Sequence, residues 1–207
     1  MSAARYGTNY RNLDWTWARA LVRPLVQTSV HPNHLTTLSL LVGLSGAVSF
    51  GLGSSVSIAL GAGLYMLSMF LDHTDGELAR LSGKTSEFGH RYDRAVDLVV
   101  KSAVFAGMGV GVARATGTSE PIWMGLVCGA AFVAIFVGHD QINARTRMGI
   151  PDQPASGGFE IEDILYLIGP ITWLGGLAGF LWIASLGAPV YASIVWIRFW
   201  RLPVPDR

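Results

Sequence analysis

The sequence predicts an all-α integral membrane protein, with six transmembrane helices preceded by an N-terminal interfacial amphipathic helix. Three observations carry that prediction. Hydrophobic residues make up 51% of the 207-residue chain and charged residues only 14%, where a soluble domain carries about 25% charged residues. Several apolar stretches reach the roughly 20 residues that cross a bilayer as a helix. Lysine and arginine also gather on one side of the topology those stretches imply, as they do in cytoplasmic loops.

The elements follow in chain order. The stretch YRNLDWTWARALVRPLVQ (10–27) keeps Arg11, Asp14 and Arg19 among Trp15, Trp17, Leu21 and Leu25, the composition of a helix lying in the membrane interface. Pro24 weakens its end, and HPN (31–33) punctuates the chain before the first span. Residues 1–30 form this interfacial segment, and residues 31–207 form the transmembrane domain. Within that domain the spans are expected at 34–52, 55–80, 90–114, 121–145, 160–175 and 178–200. Glycine and serine mark the exit of the first, and the polar loop MGIPDQPASGG (148–158) separates the fourth from the fifth. The N-terminus has no apolar core near its start and does not read as a cleaved signal peptide.

Six spans put both termini and the 2–3 and 4–5 loops on one side. That side holds Arg80, Lys84, Arg91, Arg94, Arg145, Arg147, Arg198 and Arg201 among others, whereas the opposite side holds only Arg114, and Lys101 falls inside the third span. The crowded side is expected to be the cytoplasm, across a bacterial inner membrane. A formal charge of +1 gives no reason to expect a nucleic-acid partner. Cys128 is the single cysteine and sits in an apolar segment, which excludes an intramolecular disulfide and a cysteine-cluster metal site.

The informative stretch is DHTDGELARLSGKTSEFGHRYDRAVD, residues 72–97, set against the ends of two spans. Asp72 and Asp75 are three residues apart, and Asp93 and Asp97 four apart, so each pair shares a helix face. The polar segment between them contains Gly83 and can turn the chain back, which would make the two helices antiparallel neighbours with converging carboxylates. Four such groups cannot stay ionised together in a low-dielectric site without a counter-charge. A hard divalent cation held by oxygen ligands supplies one: Mg2+, Mn2+ or Ca2+ rather than zinc or copper. The bland alternative is that these are helix-end charges paired with Arg80, Arg91 and Arg94. Gly76 and Ala79 leave an unobstructed face ending in Arg80, whose planar fork suits phosphate. A cation and a phosphate-binding arginine together point to a pyrophosphate substrate.

Asp72-x-x-Asp75-Gly76-x-x-Ala79-Arg80, eight residues, then Gly89-x-x-x-Asp93-x-x-x-Asp97 resembles the signature of the CDP-alcohol phosphotransferases at all eight fixed positions. HPNHLT (31–36) is similar to the entry of that family's first helix, and the six-span layout with an interfacial helix matches as well. The resemblance implies two divalent cations, Mg2+ or Mn2+, with Asp72, Asp75 and Asp93 as ligands and Asp97 as both ligand and catalytic base. It implies that Asp75, Gly76, Ala79 and Arg80 receive the cytidine diphosphate moiety, with Asn33 and Ser86 as further contacts. Ser86 stands where threonine is common, and keeps the hydroxyl. The reaction implied is attack of an alcohol on the β-phosphorus of a CDP-linked lipid, with release of CMP, most simply from CDP-diacylglycerol in phospholipid biosynthesis. The competing readings are a membrane cation transporter, because membrane acids also line ion paths, and a relative without activity.

Further polar groups cluster at the end of the fourth span, in GHDQINARTR (138–147). His139, Arg145 and Arg147, with Arg198 on the last span, are the expected pocket for a small polar acceptor alcohol or alcohol phosphate. Inositol phosphate, glycerol phosphate, serine and an amino alcohol all stay open. Glu160 and Asp163 open the fifth span and would partly neutralise those arginines. His31, His34, His73 and His90 read as interfacial polar groups rather than ligands. Gly107-x-x-x-Gly111 and Gly125-x-x-x-Gly129 let helices approach closely, either within one chain or in the homodimer common among such enzymes.

Overall fold

The computed structural model describes residues 22–146 and 165–202. Most of the expected interfacial helix, Arg147, the 148–158 loop, Glu160 and Asp163 lie outside the described residues. After a single tight turn at Arg23–Leu25, the described chain is helical throughout: α1 (Pro32–Leu52), α2 (Ser55–Ser82), α3 (Glu87–Thr116), α4 (Glu120–Thr146), the short α5 (Ile168–Trp173) and α6 (Leu177–Arg201). Among the described residues, α1, α2, α3, α4 and α6 are long and apolar enough to cross a membrane. The expected fifth span, 160–175, is described only from residue 165 onward, where α5 packs against α2.

Local chemistry sets these boundaries. The imidazole of His31 accepts from the Asn33 N–H at 3.3 Å, and the His31 N–H donates to His34 Nδ1 at 3.3 Å. The histidines of HPNH thus satisfy the orphan donors at the start of α1. Ser54 caps α2 through the Ser57 N–H, and Ser86 caps α3 through the Gly89 N–H at 2.9 Å. Two of the connecting turns are possible because Gly53 and Gly83 take φ of 81° and 68°, a region that side chains with a Cβ disfavour.

Along most of α1, small residues face inward and large ones outward, with Phe50 the large exception. Helix α1 buries Thr36, Ser39, Gly43, Gly46 and Ala47 while exposing Leu38, Leu41, Val48 and Leu52. That order suits lipid, where large apolar side chains gain nothing by burial and small ones let backbones touch. Helix α1 is the centre of the arrangement: α2 and α3 each pack along it and meet each other only sparingly. The sequence-based picture of two aspartate helices as direct neighbours is therefore modified, because α1 is slim enough to serve as the wedge between them. A Cβ on Gly107 would lie 2.2 Å from the Ala47 carbonyl oxygen, and one on Gly111 2.0 Å from that of Phe50. Gly125 abuts Gly109 in the same manner at the α3–α4 contact. Both glycine pairs thus serve packing within the chain, and their spacing is no argument for a dimer. Helix α4 in turn packs against α6.

Candidate active site

The α2–α3 turn brings the end of one helix and the start of the next to the same level as the N-terminus of α1. Asp72, Asp75 and Asp93 converge there, each offering a carboxylate oxygen, and the three oxygens lie within 4.8 Å of one another. Asp75 is 4% exposed, and its Oδ2 is buried without a hydrogen-bond partner among the described residues. An orphaned anionic oxygen at that depth is costly unless something positive completes it. Three hard oxygen donors with one unsatisfied lone-pair site fit Mg2+ or Mn2+.

Beside this cluster opens a cavity of about 220 Å³. Asn33, Asp75, Gly76, Ala79, Arg80 and Ser86, the residues named from the sequence as nucleotide contacts, all line it, together with Gly89 and Asp93. Gly89 matters by what it lacks: a Cβ there would lie 3.0 Å from Ser86 Oγ and 3.1 Å from Asn33 Oδ1, filling the space those two groups share. Arg80 folds back over Gly76, its Nη2 3.7 Å from where a Gly76 Cβ would stand. Its Nε donates to Glu77 Oε2 at 3.1 Å. Glu77 is 5% exposed, so a buried carboxylate fixes the guanidinium's orientation. Sequence reasoning passed over Glu77, although its i, i+3 spacing to Arg80 was a usable signal. It also passed over Lys84, whose ammonium donates to the Thr28 and Val30 carbonyls at 2.9 and 3.1 Å and so ties the turn to the chain preceding α1.

Asp97 is not among the three convergent carboxylates, although it lines a small cavity together with Asp72. Lys101, one turn further along α3, sits 2.7 Å from Asp97 Oδ1 and 2.8 Å from Oδ2. Arg80, Arg91 and Arg94 pair with Glu77, Glu87 and Asp140 respectively. The Arg94–Asp140 pair, with Arg94 4.5 Å above the Phe136 ring, fastens the aspartate turn of α3 to the end of α4.

The residues named for an acceptor pocket are more dispersed. His139 meets the Tyr191 ring edge-on at 6.3 Å. Arg145 lies 3.8 Å above the Phe199 ring and donates to the Phe199 carbonyl at 3.3 Å, which ties α4 to α6. Arg198 is exposed near the end of α6, and Arg147 lies outside the described residues. His73 donates to or accepts from the Tyr166 hydroxyl at 2.9 Å, depending on its tautomer, and His90 lines the cavity beside Asp93.

The model of the family described as CDP-alcohol phosphatidyltransferase matches residues 29–200. Over 102 residues the chain is 37% identical to the bifunctional IPC transferase and DIPP synthase of Thermococcus kodakarensis, covering 49% of this chain and 22% of that protein. Over 89 residues it is 30% identical to the archaetidylinositol phosphate synthase of Pyrococcus horikoshii, covering 43% of this chain and 46% of that one. The matches therefore span less than half the length of these relatives. Among solved structures, Mycobacterium tuberculosis phosphatidylinositol phosphate synthase with CDP-DAG bound superposes with a TM-score of 0.71 at 21% identity, covering 94% of this chain and 98% of that one. The same enzyme in complex with manganese and citrate gives 0.68 at 22% identity, covering 94% and 93%. At these identities the likeness shows a shared fold.

Proposed function

Because the chain belongs to the CDP-alcohol phosphatidyltransferase family, we propose that it transfers a phosphatidyl group from CDP-diacylglycerol to an acceptor alcohol, releasing CMP, in phospholipid biosynthesis. One observation carries the reading: the cavity lined by Asn33, Gly76, Ala79, Arg80 and Ser86 opens directly onto the Asp72–Asp75–Asp93 cluster. A nucleoside diphosphate needs both parts, donors for its phosphates and a carboxylate cluster to hold the accompanying cation.

In the transfer, the acceptor oxygen bonds to the β-phosphorus while the bond from that phosphorus to the CMP oxygen breaks. Asp72, Asp75 and Asp93 would hold one divalent cation, and Asp97 with them a second. Bound there, such ions neutralise pyrophosphate charge and stabilise the leaving group. Arg80, fixed by Glu77, grips a phosphate through its fork. Gly76 and Ala79 keep the helix face low enough for the diphosphate to approach. Asp97 takes the proton from the attacking hydroxyl, the role implied by its place in the motif, and His139 and Arg198 would help to orient the acceptor. Much of the acceleration then comes from positioning and charge neutralisation. The site faces the cytoplasm by the distribution of Lys and Arg, and two copies pairing in the membrane is an expectation from family resemblance alone.

The relatives named as inositol-phosphate-lipid synthases make inositol phosphate the first acceptor to test, and a Helicobacter pylori relative named for serine transfer makes serine the second. The experiment is CMP release by detergent-purified protein given CDP-diacylglycerol, Mn2+ or Mg2+, and a panel including glycerol phosphate. Metal-dependent release with one acceptor is expected. A folded protein that releases no CMP with any of them refutes the reading.

A further inference from the structure

Lys101 has no place in the motif and none in the reaction as drawn, yet it is among the few charged residues buried in the bundle. It lies within α3, 4% exposed, with its ammonium on both oxygens of Asp97 at 2.7 and 2.8 Å. The same ammonium stands 5.3 Å from the centroid of the Phe132 ring. A cation inside an apolar bundle is tolerated only when paired, and removing either partner from such a pair leaves an uncompensated buried charge. The pair is therefore a fixed part of the resting site rather than a surface contact.

Its position divides the four aspartates. Asp72, Asp75 and Asp93 already bring their oxygens within 4.8 Å of one another, and Asp97 stands outside that group. Asp97 instead shares with Asp72 and Lys101 a small cavity whose other walls include Ser39, Tyr65, Ser68 and Val100. A divalent cation entering between Asp97 and the trio would lie beside a positive charge already in contact with the ligand it needs. The charge of Lys101 also reaches Asp72 and Asp93 through space, but its ion pair is with Asp97, so a cation held by the trio feels it less.

We propose that Lys101 is a positioning residue that makes the two cation positions unequal. The Asp72–Asp75–Asp93 position binds a divalent cation unaided. The position that needs Asp97 is weak until a pyrophosphate-bearing ligand adds its own negative charge. Cation loading and donor binding are thereby coupled through one buried ion pair. The inference rests on the metal-dependent reading above and deepens it.

The test is an Mn2+ titration of the full chain in detergent, followed by electron paramagnetic resonance of free Mn2+, with and without CDP. The unsubstituted protein is expected to bind one Mn2+ tightly and a second at least about tenfold more weakly, a gap of about 1.4 kcal/mol, with CDP closing the gap. Lys101→Met is expected to tighten the second position by about tenfold and the first by clearly less, whereas Lys101→Arg keeps the original pattern. Lys101→Met weakening both positions together would mean a merely structural role and overturns the proposal. So do two equal affinities in the unsubstituted protein without CDP, a measurement that depends on no variant folding. Absence of any Mn2+ binding overturns the metal-dependent reading itself, and the inference with it.

Discussion

Gly43 sits where α1 holds the two aspartate helices at their working distance. A Cβ at this position would lie 2.5 Å from Val100 Cγ1 on α3 and 2.7 Å from Ser68 Oγ on α2, roughly 1 Å inside ordinary carbon contact. Neither neighbour yields easily. Ser68 is held by its bond to the Ser39 carbonyl at 2.8 Å, and Val100, being β-branched, has one strongly preferred rotamer in a helix. Gly43→Ala should therefore push the helices apart. Ser68 is one turn before Asp72 and Val100 one turn after Asp97, so the displacement reaches the carboxylates.

Two stability effects oppose each other. Overpacking costs about 1–3 kcal/mol, while replacing a helical glycine by alanine returns up to about 1 kcal/mol. The melting temperature in detergent should fall only modestly. Turnover is the sharper reading, because a 1 Å misplacement of reacting groups costs about a hundredfold. We expect CMP release to drop by about ten- to a hundredfold in Gly43→Ala, and not at all in Gly187→Ala, where open space surrounds the glycine. Adding Val100→Ala removes the methyls that clash, so the double variant should be less impaired than additivity of the single changes allows. Unchanged turnover and unchanged melting temperature in Gly43→Ala would refute the role assigned to α1 as the spacer.

Asp93→Asn, which removes one carboxylate charge from the trio, should lower CMP release by on the order of a hundredfold or more, with the protein still folded by circular dichroism; near-normal release at saturating metal would contradict the cation reading. Arg80→Lys keeps the charge but loses the fork, so donor affinity measured by CDP titration should weaken, and Glu77→Gln should shift it the same way by a smaller factor because Arg80 loses its anchor. Asp97→Asn should abolish turnover and also destabilise the protein, because the buried Lys101 ammonium loses the carboxylate charge it contacts. Asp97→Asn with Lys101→Met should recover that stability in thermal unfolding without recovering turnover.

Much of the helical layout could be read from hydropathy and punctuation. The expected spans at 34–52, 55–80 and 178–200 correspond to Pro32–Leu52, Ser55–Ser82 and Leu177–Arg201, because glycine, serine and charge interrupt the apolar runs. Helix α3 begins earlier than the apolar signal, at Glu87, because the Ser86 cap and not hydropathy starts it. What the sequence hid is which helix lies between which. Nothing in the motif says that α1 separates α2 from α3, since that depends on glycines whose partners are backbone carbonyls far away in the chain. The partners of the charges were equally hidden where they lie on different helices. Asp140 offered to an acceptor and Asp140 tied to Arg94 look the same in one dimension. The pairs within one helix, Asp97 with Lys101, Glu77 with Arg80 and Glu87 with Arg91, were legible from their spacing of three or four residues.

The layering of charge at the site follows from where the helices begin and end. Asn33 lies in the first turn of α1, and Ser86 and Gly89 in the cap and first turn of α3. Both helices present the ends at which backbone N–H groups and the positive dipole favour an anion. Arg80, oriented by Glu77, adds its guanidinium from the last turn of α2. One turn further into the bundle the sign reverses, at Asp75, Asp72 and Asp93. A diphosphate in this cavity would meet donors and a guanidinium on its outer side and carboxylates on its inner side, which attract it only with a cation between. Neither layer binds the ligand well alone, since the carboxylates repel it and the donors at the rim compete with water. The order of the two helices, one ending in arginine and the next starting from serine, would thus make cation and nucleotide mutually dependent ligands under the proposed function.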